Sequence, residues 1–278
     1  MSRVIIRDIT SENEAASMIG YVTMGMSIIP LFAPGLGGLI QMLLGWPSIF
    51  LIMSLLGLLL LLLVFRDLGE TKIIKKNKNT KSSASFINLF WEAKFWGYSF
   101  TLAFSAGTFF SFLGGAPYVA TKVYNLNSVV SGLVMGFPAA GYFIGNYLSG
   151  RYSKFYGIDY MALRGILLVI FGMFICLVIT VFYRDTPYFF FGLCSFVGLG
   201  NGLIIPNASV GILSVNENLS GTAGGIGNAI MIGTGAILAS LTSYYLENQS
   251  SSSYLAFIML LSGALSYTSL YIFVLRNK

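Results

Sequence analysis

Eight runs of apolar residues, at 15–44, 47–64, 95–119, 129–149, 160–183, 187–213, 221–245 and 254–275, decide what this chain folds into. Roughly 20 such residues make a helix as long as a bilayer's hydrocarbon is thick. A helix also satisfies every backbone N–H and C=O within itself, which lipid demands. The expected fold is therefore all-α: a polytopic membrane protein of about eight transmembrane helices, with the lipid bilayer as its first partner. Only 9% of residues are charged, against about a quarter in soluble proteins, so water cannot be the main solvent. Pro30 and Pro34 should bend the first run, since each removes a backbone donor and crowds the preceding turn.

A basic, Ser- and Asn-rich segment, RDLGETKIIKKNKNTKSSAS, separates two spans from six and divides the chain into 1–65, a linker 66–94, and 95–278. With that linker inside the cell, all but Lys122 and Arg184 of the 16 basic residues fall on one face. Basic residues collect on the cytoplasmic side of membrane proteins. Both termini are accordingly expected in the cytoplasm of a multi-pass inner (plasma) membrane protein. The same rule accounts for the net charge of +6 without nucleic acid, whose usual signature is a basic face on a soluble module. There is no His, and Cys176 and Cys194 sit inside apolar runs, so neither a metal site nor a cofactor is expected.

The acidic residues Asp8, Glu12, Glu14, Asp67, Glu70, Glu92, Asp159, Asp185, Glu217 and Glu247 all lie away from the middles of the spans. A membrane enzyme needs an acid, base or activated nucleophile at depth, and none is offered. An ion-coupled transporter generally carries an ionisable group there too. Either the coupling group is on a part not present, or the protein is not proton-coupled.

The first run reads GYVTMGMSIIPLFAPGLGG, with Gly20, Pro30, Pro34, Gly37 and Gly38 in a glycine-spaced, proline-bent pattern. It resembles the fifth-helix motif of antiporters in the major facilitator superfamily, with Ile29 and Ala33 at two of the glycine positions. Further stretches resemble one branch, the Bcr/CflA drug-resistance transporters: RVIIRDI the end of its fourth helix, GWPSIF the start of its sixth, and WGYSFTLAFSAGTFFSFLGGAPYV its seventh. GLGNGLIIPNASVGIL resembles the tenth helix and GTAGGIGNAIMIGTGAILAS the eleventh. Gly145 to Gly157 resembles the weaker, second-half copy of the superfamily's loop motif, with Gly145 and Arg151 as its marked residues.

The resemblance implies a major facilitator superfamily fold lacking its first three to four helices, so that Met1 would be an internal methionine or the edge of an incomplete gene. It implies multidrug, small-molecule efflux by proton antiport with alternating access, an amphiphilic substrate, and protons whose coupling group lies on the absent helices. The fragment would then be inactive alone. A non-transporting membrane scaffold or partner subunit is the alternative.

Candidate cavity residues fall on three spans. Tyr98, Phe104, Phe109 and Phe112 present polar and aromatic surface on more than one face of 95–119, facing either a cavity or lipid. Asn201, Asn207 and Asn228 are amides in hydrocarbon, which must find a partner or water. Each serves either a cavity or an interhelical hydrogen bond. Pro206 adds a bend beside Asn207. Gly132, Gly136, Gly141 and Gly145 form a smooth ridge that suits close helix packing. Arg151 either docks on a helix end or simply marks topology.

Overall fold

The computed structural model describes residues 6, 10–67, 89–183, 185–216, 219–249 and 251–276. Helices cover every apolar run: α1 (Glu12–Leu44), α2 (Pro47–Asp67), α3 (Ala93–Tyr118), α4 (Ser128–Met135), α5 (Phe137–Tyr156), α6 (Ile158–Phe182), α7 (Pro187–Ser214), α8 (Ser220–Gln249) and α9 (Ser252–Leu270). π-helical turns extend α3 through Val123 and α9 through Leu275. Among the described residues six helices are long and apolar enough to cross a membrane. The central linker lies outside the described residues.

One run departs from its expected form. The stretch 129–149 was expected as a single span, but it is two helices meeting at Gly136, and the second continues to Tyr156. Pro138 is the cause. It has no N–H for the Val134 carbonyl, so the ladder closes early with Gly136 donating to Leu133 at 3.0 Å and restarts with Ala140 donating to Gly136 at 3.1 Å. By contrast, the backbone of α1 stays helical through Pro30 and Pro34. The side chains of 29–39, which include Pro30, Pro34, Gly37 and Gly38, lie outside the described residues.

Helix α7 is the centre of the bundle, packed by α1, α3, α5, α6 and α8. Small residues let its neighbours come close. A Cβ on Gly202 would lie 2.6 Å from the Asn146 nitrogen, and one on Gly198 would overlap the Pro138 carbonyl, so α5 and α7 touch backbone to backbone. On another side, Gly200 meets Gly165 of α6 in the same way. Lipid tails are as apolar as leucine, so helices in a membrane gain from such close van der Waals packing rather than from escaping water.

Four helices, α3, α7, α6 and α9, form a closed square in which α3 and α6 each pack on both α7 and α9. The α3–α6 diagonal is bridged at both ends. Tyr98 donates to Asp159 at 2.6 Å at one end, and Tyr124 donates to Asp185 at the other, where Ser252 of α9 also donates to Asp185. Burial, and then the bond to Asp185, raises the Tyr124 phenol above its ordinary value, so it remains a donor across physiological pH.

Helix α1 is held against α5 by one stripe. Glu14 pairs with Lys154 at 3.0 Å, Ser17 donates to the Gly150 carbonyl, and Thr23 donates to Asn146 Oδ1 at 2.6 Å. Gly20 sits between them, where a Cβ would lie 2.5 Å from the Gly150 nitrogen. Helix α2 is exposed along its length and apolar all round, the character of a span meant for hydrocarbon.

Adding one methyl group separates these roles. Gly202→Ala should lower the thermal stability of the detergent-solubilised chain by about 1–3 kcal/mol, the usual cost of overpacking. Gly192→Ala, on the same helix but with open space at its Cβ, should leave it unchanged. Equal melting curves for the two variants would refute the backbone-to-backbone seam.

Candidate functional site

The bundle has a cavity of about 210 Å³ between α3, α5, α7 and α8, lined by Ala106, Phe109, Phe110, Tyr142, Asn201, Ile205 and Met231. Residues from two of these helices lie near the helix midpoints: Asn201 is central in Pro187–Ser214, as Ala106 is in Ala93–Tyr118. The cavity therefore opens at mid-depth, the level at which transporters of many folds hold their substrates.

Its polar wall is one amide. Asn201 Nδ2 donates to Thr108 Oγ1 at 3.1 Å, and Asn201 Oδ1 accepts from the Ser105 hydroxyl. Thr108 in turn donates to the Ser105 carbonyl at 2.6 Å. Asn201 is 1% exposed and Ser105 and Thr108 are buried, so α7 is tied to α3 by a satisfied network in a low-dielectric interior. The rest of the lining is aromatic or flexible. Phe109, Phe110 and Tyr142 supply flat surfaces, and the thioether of Met231 adapts to the shape it meets.

An aromatic cluster lies toward the C-terminal end of α3. Phe112 meets Phe191 edge-on at 6.2 Å, and Tyr124 meets Phe190 at 6.0 Å and Phe191 at 6.1 Å. Phe112, Phe190 and Phe191 are fully buried. Together with the Tyr124–Asp185–Ser252 bonds, they close that end of the bundle.

The structure sorts the sequence candidates by neighbourhood. Phe109 and Asn201 line the cavity. Phe112 belongs to the aromatic cluster. Phe104 stacks on Phe100 at 6.1 Å in a ladder with Trp96. Tyr98 packs its ring on Gly211 and bonds Asp159. Asn207 donates to Ser149 Oγ at 2.9 Å and to the Leu203 carbonyl at 2.7 Å, across the α5–α7 seam. Its Oδ1 is buried and accepts no hydrogen bond among the described residues. Pro206 is buried beside it, and Asn228 is half-buried on α8. Gly145 packs on Gly202 of α7. Arg151 is exposed and donates to the Tyr147 hydroxyl at 3.1 Å.

Phe110, Tyr142, Ile205 and Met231 were not anticipated. Aromatic and aliphatic residues fill every span, and only the crossing of four helices selects these. Tyr142 alone carried a signal, as a phenol at the centre of a run.

A profile of the Major Facilitator Superfamily matches residues 1–240. The chain belongs to that superfamily. Its members are transporters rather than enzymes, and an all-helical, multi-pass bundle with a mid-depth cavity is in keeping with that. Among curated relatives, a bicyclomycin resistance protein homolog of Haemophilus influenzae is 28% identical over 250 residues, covering 87% of this chain and 62% of the relative. Multidrug resistance protein D of Escherichia coli is 25% identical over 272 residues, covering 95% of this chain and 66% of the relative. Multidrug resistance protein MdtL of Salmonella typhi is 24% identical over 247 residues, covering 84% and 60%. The chain thus spans less than two thirds of the length of the Haemophilus relative. The match to drug-resistance proteins agrees with the Bcr/CflA resemblance.

The Asn201 network sets a measurable coupling between α3 and α7. Asn201→Ala should destabilise the superfamily bundle by about 1 kcal/mol. In a double-mutant cycle with Ser105→Ala, most of that loss should be shared between the two sites. Strictly additive effects would show that the amide and hydroxyl do not act together.

Proposed function

We propose that this chain is part of an exporter of small amphiphilic compounds, with the cavity at Asn201 forming one wall of the route. The observation that carries this reading is the position and character of that cavity. It is mid-depth, apolar and aromatic, with a single buried amide to orient a polar group. Compounds of varied shape bind such surfaces because flat rings and a methionine contribute contact area without demanding one geometry. The curated relatives named for bicyclomycin and multidrug resistance favour drug-like substrates over sugars or inorganic ions.

In this reading residues 1–65 belong to one half of the transporter, 66–94 link the halves, and 95–278 form the other half. The α1–α5 seam, with Gly20 against Gly150, is then a contact between halves. A seam closed by glycines and a few hydroxyl bonds presents few interlocking side chains, which suits the rocking of one half on the other in alternating access. The linker and both termini lie in the cytoplasm of a bacterial inner membrane, following the distribution of basic residues.

Proton antiport is the proposed driving reaction, with its coupling group outside the described spans. The described carboxylates are at helix ends. Glu14 is paired with Lys154, while Asp159 and Asp185 accept from tyrosines. None is placed to carry a proton through the bundle centre.

Two measurements test the proposal. An amphiphilic fluorescent cation should bind the detergent-purified 278-residue chain, and Phe109→Ala should weaken that binding about 10-fold, as loss of one buried aromatic contact does. The same chain in liposomes should show no accumulation of the dye driven by a proton gradient. Equal binding by Phe109→Ala would remove the cavity from the route, and gradient-driven flux would show that coupling resides in this chain.

A further inference from the structure

At the end where α5 gives way to α6, arginine and tyrosine side chains form an exposed ladder. Tyr152 and Tyr156 close α5, and Tyr160 and Arg164 open α6, every fourth residue along the chain. The helices are broken between them at Gly157, whose φ of 83° is open to glycine at little cost. Despite that break the rings form one continuous column. Tyr152 and Tyr156 are 6.2 Å apart, and Tyr156 stacks on Tyr160 at 5.3 Å and 24°. A guanidinium caps each end, with Arg164 over the Tyr160 ring at 4.9 Å and Arg151 over Tyr152 at 5.6 Å.

Among the described residues neither Arg151 nor Arg164 has a carboxylate within ion-pair distance. Two described acids at this end are engaged elsewhere, Glu14 with Lys154 and Asp159 with Tyr98. Arg164 stands six residues into α6, about 9 Å from the helix start at 1.5 Å per residue, and its side chain returns along Tyr160. An arginine is costly at that depth unless it reaches polar surroundings. Tyrosines of this amphipathic kind favour the boundary between hydrocarbon and headgroups. Arg151 gives one N–H to the Tyr147 hydroxyl, and a guanidinium has five, so N–H groups remain that match phosphate oxygens bidentately. At the boundary between hydrocarbon and headgroups the abundant anion is the phosphate of a lipid.

We propose that the Arg151–Tyr152–Tyr156–Tyr160–Arg164 column is a binding site for an anionic phospholipid headgroup. The guanidinium at each end holds the phosphate of one such headgroup, and the tyrosine faces between them pack the glycerol and upper acyl chains. Because Lys154 and Gly150 on the same stretch of α5 contact Glu14, Ser17 and Gly20 of α1, a lipid bound there sits beside the α1–α5 seam.

Native mass spectrometry of the detergent-purified chain tests this, with dioleoyl phosphatidylglycerol, dioleoyl phosphatidylcholine and free glycerol 3-phosphate as probes. Phosphatidylglycerol should be retained in preference to phosphatidylcholine, and Arg151→Gln and Arg164→Gln should each reduce that preference about fivefold, the usual weight of one basic residue at an anionic surface. Lys122→Gln, at the opposite end of the bundle, should leave it unchanged. Tyr160→Leu, which keeps every charge and removes the ring under Arg164, should weaken retention by a smaller factor and supplies the reading if an arginine variant does not fold. Preference unaltered in the arginine variants, or in Tyr160→Leu where those do not fold, overturns the site. Displacement of the lipid by an equal concentration of glycerol 3-phosphate overturns it too, since the column would then bind free phosphate rather than a lipid.

Discussion

Close contact between helix backbones is the interaction on which this structure depends. Inside a bilayer the backbone of each span is already satisfied, and burying a leucine against another helix gains little over leaving it in lipid. What distinguishes a bundle from a set of separate helices is how near their axes can come. Helix α7 has glycines on two of its faces, Gly198 and Gly202 toward α5 and Gly200 toward α6, and each would be forced apart by a single methyl group. Helix α2 has no such contacts and stands almost entirely exposed. The contrast between these two apolar helices shows that hydrophobicity places them in the membrane while small residues assemble them.

The cavity follows from the same rule. Where glycine meets glycine, as along α5 and α7, no space remains. On α3, Gly114 approaches Ala239 of α8 so closely that a Cβ would lie 2.7 Å from its carbonyl oxygen, and Gly235 of α8 accommodates the Phe110 ring. Between these tight crossings the larger side chains of Phe109, Phe110, Tyr142 and Met231 prevent the same approach, and a void is left at mid-depth. Asn201 bridges α7 to α3 beside it, so the opening is held by polar bonds on one wall and by ring packing on the others.

The sequence was informative where chemistry opposes the surroundings and silent where it does not. Long apolar runs announced every helix, because lipid leaves no other solution. Asn201 and Asn207 stood out as amides in hydrocarbon, and both proved to be interhelical donors. Of the two, Asn201 also faces the cavity. Phe110 and Met231 could not be singled out, since nothing in a span separates a ring that faces a void from one that faces lipid. The break at Gly136 was missed because hydropathy ignores Pro138. Tyr98 looked like a cavity residue for its polar tip, yet it stands near a helix start, where Asp159 of a distant span is within reach.

The placement of charge divides the labour among the ends and the middle of the bundle. Every described carboxylate is at a helix end, and three of them accept bonds that join helices: Glu14 to α5, Asp159 to α3, and Asp185 to α9 and the segment after α3. At the boundary, water and headgroups lower the cost of ionisation, so an acid can serve as a clasp without the penalty it would meet at mid-depth. The Tyr–Asp bonds at both ends of the α3–α6 diagonal fix the square of helices while leaving its centre free of charge. A centre with buried amides and no described carboxylate offers no acid that could take up and release a proton. The described bundle therefore supplies shape and adhesion, its seams closed by glycines and by bonds such as those of Glu14, Ser17 and Thr23 across α1 and α5.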